Sequence, residues 1–172
     1  LNQFVEKPES YQYCVPILTD PKYHPHAKFM VSIILKRHII QTWAQKTEEE
    51  KQAMKEFIIQ TMHSMIKEGQ KEYDLSILNQ CLVEILKFEW PGEWPDFCNE
   101  IISRCQEEDI LYAINTLGIF KQLADEISLA ILNSDLQKPS PPNIYSNEIT
   151  IDRLRLMQST FVSEFPVIFR LL

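Results

Sequence analysis

Glycine is scarce in this sequence. Only three of the 172 residues are glycine, and neither GxGxxG nor GxxxxGK[ST] occurs. Such glycine-rich loops let backbone amides approach a phosphate closely. Their absence excludes the common nucleotide-binding loops, so any nucleotide is expected to arrive on a partner rather than to be held as a cofactor.

Paired cysteines and metal-binding patterns are also missing. Cys14, Cys81, Cys98 and Cys105 include no CxxC pair, and three of them fall on apolar helix faces, where a reduced thiol behaves as a small hydrophobe. We therefore expect free thiols and a reducing compartment. His24 and His26 stand at HxH spacing without a third or fourth ligand nearby, so we predict no metal site.

Positive charge is in deficit. The chain has 17 Lys and Arg against 24 Asp and Glu, a net charge of −7, whereas a long nucleic-acid footprint needs clustered positive charge. No apolar run approaches the roughly 20 residues of a membrane span, and no signal sequence opens the chain. We therefore expect neither nucleic acid nor membrane as a direct partner, and favour a partner with a basic surface.

No motif brings a nucleophile, a base and a supporting acid together. We interpret His38 and His63 as surface or interface groups, because no Ser or Cys nucleophile accompanies them at a recognisable spacing. The acidic runs at 48–50 and 107–109 are typical of helix starts. The sequence predicts no catalytic residue and no enzyme; a carboxylate pair or a histidine acting in a cleft is the enzymatic alternative.

The strongest pattern that is present lies between residues 75 and 102. Pro91 disfavours the α conformation at Trp90, and Pro95 suits the first turn of a following helix. Residues 90–95, which we call the tryptophan corner, therefore join two helices, and Trp90 and Trp94 are expected to pack between them. The apolar positions of these helices are Leu75, Leu78, Leu82, Ile85 and Leu86 before the corner, and Phe97, Cys98, Ile101 and Ile102 after it.

Helical periodicity continues on the amino-terminal side of this stretch. We predict helices over residues 9–18, 26–44 and 48–67, the last opened by a Thr47–Glu50 capping box and ended by Gly69. Residues 1–5 are expected to end an earlier helix. The apolar side of the 26–44 helix is predicted to comprise Ala27, Met30, Ile33, Ile34, Ile40 and Trp43, with Leu35 and Ile39 on a second flank.

Two more helices and one loop follow the corner. We predict a helix over residues 110–133, an extended proline-rich loop at 138–143, and a last helix from about residue 146 to 172 that Pro166 should kink or stop near Glu164. The expected apolar positions are Ile110, Ile114, Leu117, Ala124, Ile127 and Ile131 in the first helix, and Leu154, Met157, Phe161, Phe165 and Ile168 in the second.

Helix pairs recurring every 40 to 50 residues or so are typical of HEAT and armadillo repeats. We therefore predict an all-α fold, an α-solenoid of antiparallel HEAT-type hairpins, with a closed helical bundle as the structural alternative. The repeats would cover residues 1–20 (the end of a first repeat), 26–69, 71–106 and 107–172. The chain opens without Met and stops in the apolar run Phe169 to Leu172, so we expect it to be an amino-terminal fragment of a longer protein.

Three segments carry a resemblance to a known family. They are Leu1-x-x-Phe4 with Pro8 and Tyr11, the run Ile33-Ile34-Leu35 through Ile40 to Trp43, and above all residues 82–97, LVEILKFEWPGEWPDF. Together they resemble the amino-terminal repeats of the karyopherin-β family, in particular its nuclear export receptors for leucine-rich signals. The WPxxWP corner is the specific part of the resemblance.

This resemblance implies that the second helix of each repeat lines a concave face that grips the GTP-bound form of the small GTPase Ran. It also implies a protein that shuttles between nucleus and cytoplasm and that binds export cargo and nucleoporins through its full length. A helical wheel places the polar flanks of these second helices at Gln52, Glu56, Gln60 and His63, at Asp96, Asn99 and Glu100, and at Asp152 and Arg155.

Two other interpretations remain open at this point. The chain could be a HEAT-repeat scaffold without a role for Ran, or part of another karyopherin, such as an exportin for small RNAs or an importin, that carries a different cargo class.

Overall fold

The computed structural model describes residues 10–20, 22–69, 72–106, 110–136 and 150–169. Across these ranges it shows no strand, which confirms the all-α prediction. The helix predicted to end within residues 1–5 and the proline-rich loop at 138–143 lie outside the described residues. The elements are α1 (Ser10–Thr19), α2 (Pro25–Thr42), a 3-10 helix (Trp43–Gln45), α3 (Glu48–Lys67), α4 (Glu72–Glu89), α5 (Phe97–Gln106), α6 (Ile110–Leu136) and α7 (Ile151–Ile168).

The chain divides into two compact units, Leu1–Phe88 and Glu89–Leu172. In the first unit α1 packs against both α2 and α3, and in the second unit α5, α6 and α7 pack against one another. The repeat boundaries derived from the sequence stay a prediction.

Helix α2 begins where predicted but buries a different side. His24 is its N-cap, accepting a hydrogen bond at Nδ1 from the His26 amide (3.2 Å), and Pro25 occupies the first turn. The predicted apolar side is wrong at Met30 and Ile40, which are exposed. Trp43 on that side, and Leu35 and Ile39 on the predicted second flank, are buried as expected. The apolar residues of α2 lie on more than one side of the helix, so periodicity alone did not predict which side packs. The buried side comprises Lys28, Val31, Ser32, Leu35, His38, Ile39 and Thr42.

Helix α3 starts and ends as predicted. The Thr47 hydroxyl accepts from the Glu50 amide (3.3 Å) and the Glu50 carboxylate accepts from the Thr47 amide (2.9 Å), which satisfies two amide groups that the first turn leaves without helical partners. Gly69 has φ +67, the left-handed conformation that favours glycine after a helix. The core residues of α3 are almost completely buried; they are Met54, Ile58, Met62 and Met65.

Polar contacts join α2 to α4 inside the first unit. The Lys36 ammonium lies 3.5 Å from Glu84 Oε1 and donates to Gln80 Oε1 (3.0 Å), while the Lys87 ammonium lies 2.8 Å from Glu84 Oε2. The Cys81 thiol also donates to the Ser32 carbonyl (3.6 Å). A largely buried carboxylate shared by two cations thus accompanies the apolar packing of these helices.

The two tryptophans of the corner are buried as predicted, while Gly92, Glu93 and Pro95 are exposed. Trp90 is completely shielded from solvent and Trp94 is 8% exposed, which confirms that both rings are packing groups. The Trp94 indole donates to Glu100 Oε2 (3.1 Å) and meets the Phe97 ring edge-on at 5.1 Å. Helix α5 begins at Phe97, two residues later than Pro95, because residues 95–96 still form a turn.

A row of aromatic rings runs through the second unit. Neighbouring ring centroids are 5.1 to 6.3 Å apart, within the range for favourable edge-to-face packing. The row links α5, α6 and α7 and becomes more exposed at its end in α7. Its members are Trp94, Phe97, Phe120, Phe161, Phe165 and Phe169.

Helix α6 packs as predicted at Ile127, which is buried, but not at its amino-terminal end. Ile110 and Ile114 are 71% and 52% exposed, so the predicted register is wrong at its amino-terminal end. This helix has apolar residues on two sides, and the side that packs also contains a polar residue. Thr116 is buried there, and its hydroxyl accepts a hydrogen bond from the Cys105 thiol (3.2 Å). The buried positions are Tyr112, Thr116, Ile119, Phe120, Leu123 and Ile127.

Helix α7 differs from the prediction at three points. It begins at Ile151 because Thr150 is extended and caps the helix, its hydroxyl accepting from the Arg153 amide (3.3 Å). Phe165, predicted in the core, is 40% exposed. Pro166 does not stop the helix at Glu164; the helix continues to Ile168, because a proline on the exposed side of the last turn removes a single backbone bond.

Candidate functional site

The predicted partner-binding residues of the first unit lie along one side of α3. Gln52 and Gln60 are exposed, and Glu56 and His63 are half-buried. The Gln60 amide nitrogen donates to Glu56 Oε1 at 2.8 Å, one turn apart. This side of α3 therefore presents a polar strip with a carboxylate near its middle.

The predicted residues of the second unit lie on α5 and α7, which pack against each other. Asp96, Asn99 and Glu100 are exposed at the start of α5, and the Asp96 carbonyl accepts from the Glu100 amide at 2.9 Å. Glu100 also accepts the Trp94 indole hydrogen bond. Its carboxylate therefore supports the corner as well as facing solvent, and a substitution there would change both.

On α7 the two predicted residues, Asp152 and Arg155, are exposed. Sequence reasoning missed Arg153 between them, whose guanidinium donates to the Trp90 carbonyl at 3.3 Å. Arg153 ties α7 to the tryptophan corner. A contact between residues 63 positions apart has no local sequence signal, because it depends on how the helices pack.

An open cleft lies between α1 and α3, next to the polar strip. Its volume is about 220 Å³, and Gln60 of the strip forms part of its wall. Leu18 from α1 and Met65 from α3 line it with apolar surface, and Glu68 stands at its rim. No sequence pattern predicted this cleft, because only the packing of α1 against α3 creates it.

The four histidines do not form a reactive site. His38, predicted at the surface, is instead completely buried, with Nε2 3.3 Å from the Thr42 hydroxyl, because the buried side of α2 differs from the predicted one. His24 caps that helix. In the described part of the chain no group of three or more His, Cys, Asp or Glu could hold a metal ion, and no helix there is long and apolar enough to cross a membrane.

The four cysteines are free and buried, as the sequence analysis expected. Burial raises the pKa of the Cys14 thiol to about 11 and that of Cys98 to about 12, in the latter with a smaller contribution from Glu164. Burial likewise raises the pKa of Cys81. Thiols held in the neutral form are poor nucleophiles, so these are packing groups.

Two family models match the chain. The Importin-beta N-terminal domain matches residues 1–64 and the Exportin 1-like protein family matches residues 71–172. The first match includes α1, α2 and most of α3, and the second includes the tryptophan corner, α5, α6 and α7. Both families have helical folds of the HEAT-type solenoid class, which confirms the predicted fold class.

Individual relatives agree with the family models. Exportin-1 of Schizosaccharomyces pombe is 27% identical over 132 residues, or 74% of this chain and 12% of that protein. Exportin-1 of Drosophila melanogaster is 27% identical over 90% of this chain, and Exportin-1 of Dictyostelium discoideum is 25% identical over 98% of it; each match covers 15% of the relative. The chain thus spans only 12 to 15% of the length of these relatives.

Proposed function

This chain belongs to the exportin 1-like protein family, and from that premise we propose that it is the amino-terminal, Ran-GTP-binding region of a nuclear export receptor. The observation that carries the proposal is the polar strip on α3, from Gln52 to His63, which falls inside the match to the Importin-beta N-terminal domain. The strip is exposed or half-buried and holds its own hydrogen bonds, so it is formed before a partner arrives.

Charge supports the same proposal. The chain carries a net charge of −7. The residues proposed to contact Ran include Glu56 in the first unit, and Asp96, Glu100 and Asp152 in the second. Complementary charge speeds encounter and fixes the register of a complex. We infer that the surface of Ran that meets these residues is basic.

The relatives named Exportin-1 support a proposal for the activity of the whole protein. We propose that the receptor carries cargo with leucine-rich export signals, contacts nucleoporins through its full length and shuttles between nucleus and cytoplasm. This chain acts by binding and performs no chemistry of its own. The nucleotide of the complex is bound by Ran.

The test is titration of the complete protein with Ran loaded with GTP or with GDP. We expect the GTP form to bind at least tenfold more tightly. Glu56→Lys should weaken binding of the GTP form, because it places a positive charge in the middle of the α3 strip. Asp125→Lys is the matched control, since it makes the same charge change at an exposed position of α6 that is not among the residues proposed to contact Ran.

Equal affinity for the two nucleotide states would contradict the proposal and would favour a HEAT-repeat scaffold without a role for Ran. An equal loss of affinity for Ran-GTP in the Glu56→Lys and Asp125→Lys variants would be compatible with the preference for GTP. It would show, however, that the α3 strip is not the binding face. Glu100 is a poor choice for this test, because Glu100→Lys would also remove the acceptor of the Trp94 indole hydrogen bond.

A further inference from the structure

We propose that the cleft between α1 and α3 receives one apolar side chain from a basic segment of the protein partner, and so anchors the complex. This inference rests on the proposed function, because it assigns the cleft to the same face that binds Ran-GTP. It adds a hydrophobic anchor to an interface that the sequence described only through polar residues.

The floor of the cleft is apolar and well packed. Leu18 of α1 and Met65 of α3 are almost completely buried beneath it, and the half-buried ring of Phe57 forms part of its side. Water still reaches part of the Phe57 ring, and covering this apolar surface with a side chain of the partner lowers the free energy of the complex. Buried side chains of this kind also hold their positions, so the cleft exists in the unbound chain.

The hydroxyl groups around the cleft are already used. Thr19 donates to the Val15 carbonyl (2.9 Å), Thr61 donates to the Phe57 carbonyl (2.7 Å), and Ser64 donates to Glu68 Oε1 (3.1 Å). These hydroxyls therefore offer a ligand no free donor. A polar small molecule would find few partners on the walls.

What remains at the rim is mainly hydrogen-bond acceptors with negative charge. The Glu68 carboxylate has several acceptor sites. The Ser64 hydroxyl donates to one of its oxygens, Oε1. Glu56 stands one turn beyond Gln60, which lines the cleft. A lysine or arginine beside the inserted apolar residue would meet these carboxylates, which is why we assign the occupant to a basic segment.

The size of the cleft favours a single side chain. Its volume is about 220 Å³, whereas sites for cofactors and drug-sized ligands occupy roughly 300–1,000 Å³. An aliphatic or aromatic side chain inserted into a preformed hole is the usual form of an interface anchor, and such anchors supply a large share of binding energy.

The first experiment fills the cleft from each wall. Ser64→Phe and Thr19→Phe replace exposed residues on α3 and α1, so both variants should fold, and each should weaken binding of Ran-GTP to the complete protein at least tenfold. The matched control is Ser128→Phe, which adds the same ring at an exposed serine of α6 and should bind Ran-GTP as the unmodified protein does.

The second experiment identifies the occupant. With p-benzoyl-phenylalanine in place of Thr19, illumination of the complex should cross-link to an aliphatic or aromatic residue of Ran that has a lysine or arginine next to it. Mass spectrometry of the cross-linked peptide reads the position. A cross-link within the same chain or between two copies would overturn the proposal by naming a different occupant.

The outcomes separate this inference from the proposed function. If Ran-GTP and Ran-GDP bind the unmodified protein equally, the proposed function fails and this inference fails with it. If the preference for GTP holds but the two filling variants bind normally, only the cleft is overturned. Equal weakening by Ser64→Phe and Ser128→Phe also overturns it, because a ring at a residue that does not line the cleft would then have the same effect.

Discussion

Trp94 shows how one side chain can combine packing and polar contact. Its ring is 8% exposed and meets Phe97 edge-on, while its indole nitrogen reaches the Glu100 carboxylate outside the core. The apolar body is buried and the polar tip has a partner at the surface, so the ring is buried without an unsatisfied donor. The corner thus has a defined conformation rather than a loose one.

We expect Trp94→Ala to lower the free energy of unfolding by about 3–5 kcal/mol, the range for truncating a buried aromatic residue. Trp94→Phe should lower it less, because an aromatic ring still packs against Phe97, although the smaller side chain loses the hydrogen bond and leaves some space unfilled. Glu100→Gln keeps an acceptor for the indole and serves as the control with little effect. Urea unfolding followed by circular dichroism measures all three; a loss for Trp94→Ala no greater than for Glu100→Gln would contradict the packing role.

Single buried thiols also make the free energy of unfolding depend on pH. Burial raises the pKa of Cys14 from its ordinary value of 9.0 to about 11, so the unfolded chain releases this proton at a lower pH than the folded chain does. The contribution of the neutral thiol to the free energy of unfolding is therefore complete below about pH 9. It is lost as the pH rises from about 9 towards 11, by about 1 kcal/mol per pH unit for each such thiol.

Urea unfolding at pH 8, 9 and 10 tests this expectation. The free energy of unfolding should fall between pH 9 and pH 10, and Cys14→Ala should reduce the fall while leaving the contributions of lysine and tyrosine unchanged. An identical pH slope in the unmodified chain and in Cys14→Ala would contradict the assignment.

At the scale of elements, the start of α3 depends on a reciprocal cap. Thr47→Ala removes the hydroxyl that accepts from the Glu50 amide and should cost about 0.5–2 kcal/mol of stability. Thr47→Ser keeps the oxygen and should cost much less. Thermal unfolding of the two variants measures the difference. Equal stability of Thr47→Ala and the unmodified chain would show that water replaces the cap.

The link between α2 and α4 depends on one carboxylate. Glu84→Ala leaves Lys36 and Lys87 partly buried without the anion they share, and should cost about 1.5–3 kcal/mol, the range for hydrogen bonds to charged groups. Asp125→Ala breaks an exposed pair with Lys121 and should cost no more than about 0.5 kcal/mol. Urea unfolding compares the two, and equal costs would mean that burial adds nothing to the first pair.

The sequence predicted most elements correctly because caps and breakers are local. Thr47, Gly69 and the tryptophan corner act within a few residues of themselves, and each lies where it was predicted. The packed sides of α2 and α6 were predicted only in part: Leu35, Ile39 and Ile127 are buried as expected. Both helices carry apolar residues on more than one side, so only the neighbouring helix decides whether Ile114 or Thr116 is buried. The start of α7 was missed because Thr150 was not recognised as a cap.

At the scale of the whole molecule, the candidate site was predictable only in part. The α3 strip from Gln52 to His63 follows from the 3.6-residue period of a helix and is exposed or half-buried in the structure. The cleft beside it and the Arg153 contact with Trp90 join residues far apart in the chain. No period or motif encodes such pairs, so they become visible only once the helices are packed.

The net charge of the chain should make its association with Ran-GTP depend on salt. A chain with charge −7 attracts a basic surface over about 10 Å at 0.1 M salt but only about 3 Å at 1 M. The association rate in stopped-flow mixing should therefore fall at least tenfold over that range, while the dissociation rate changes less. Glu56→Gln should slow association at low salt more than Asp125→Asn, which removes the same charge from α6. A rate independent of salt would mean that apolar contacts such as the cleft, rather than charge, govern encounter.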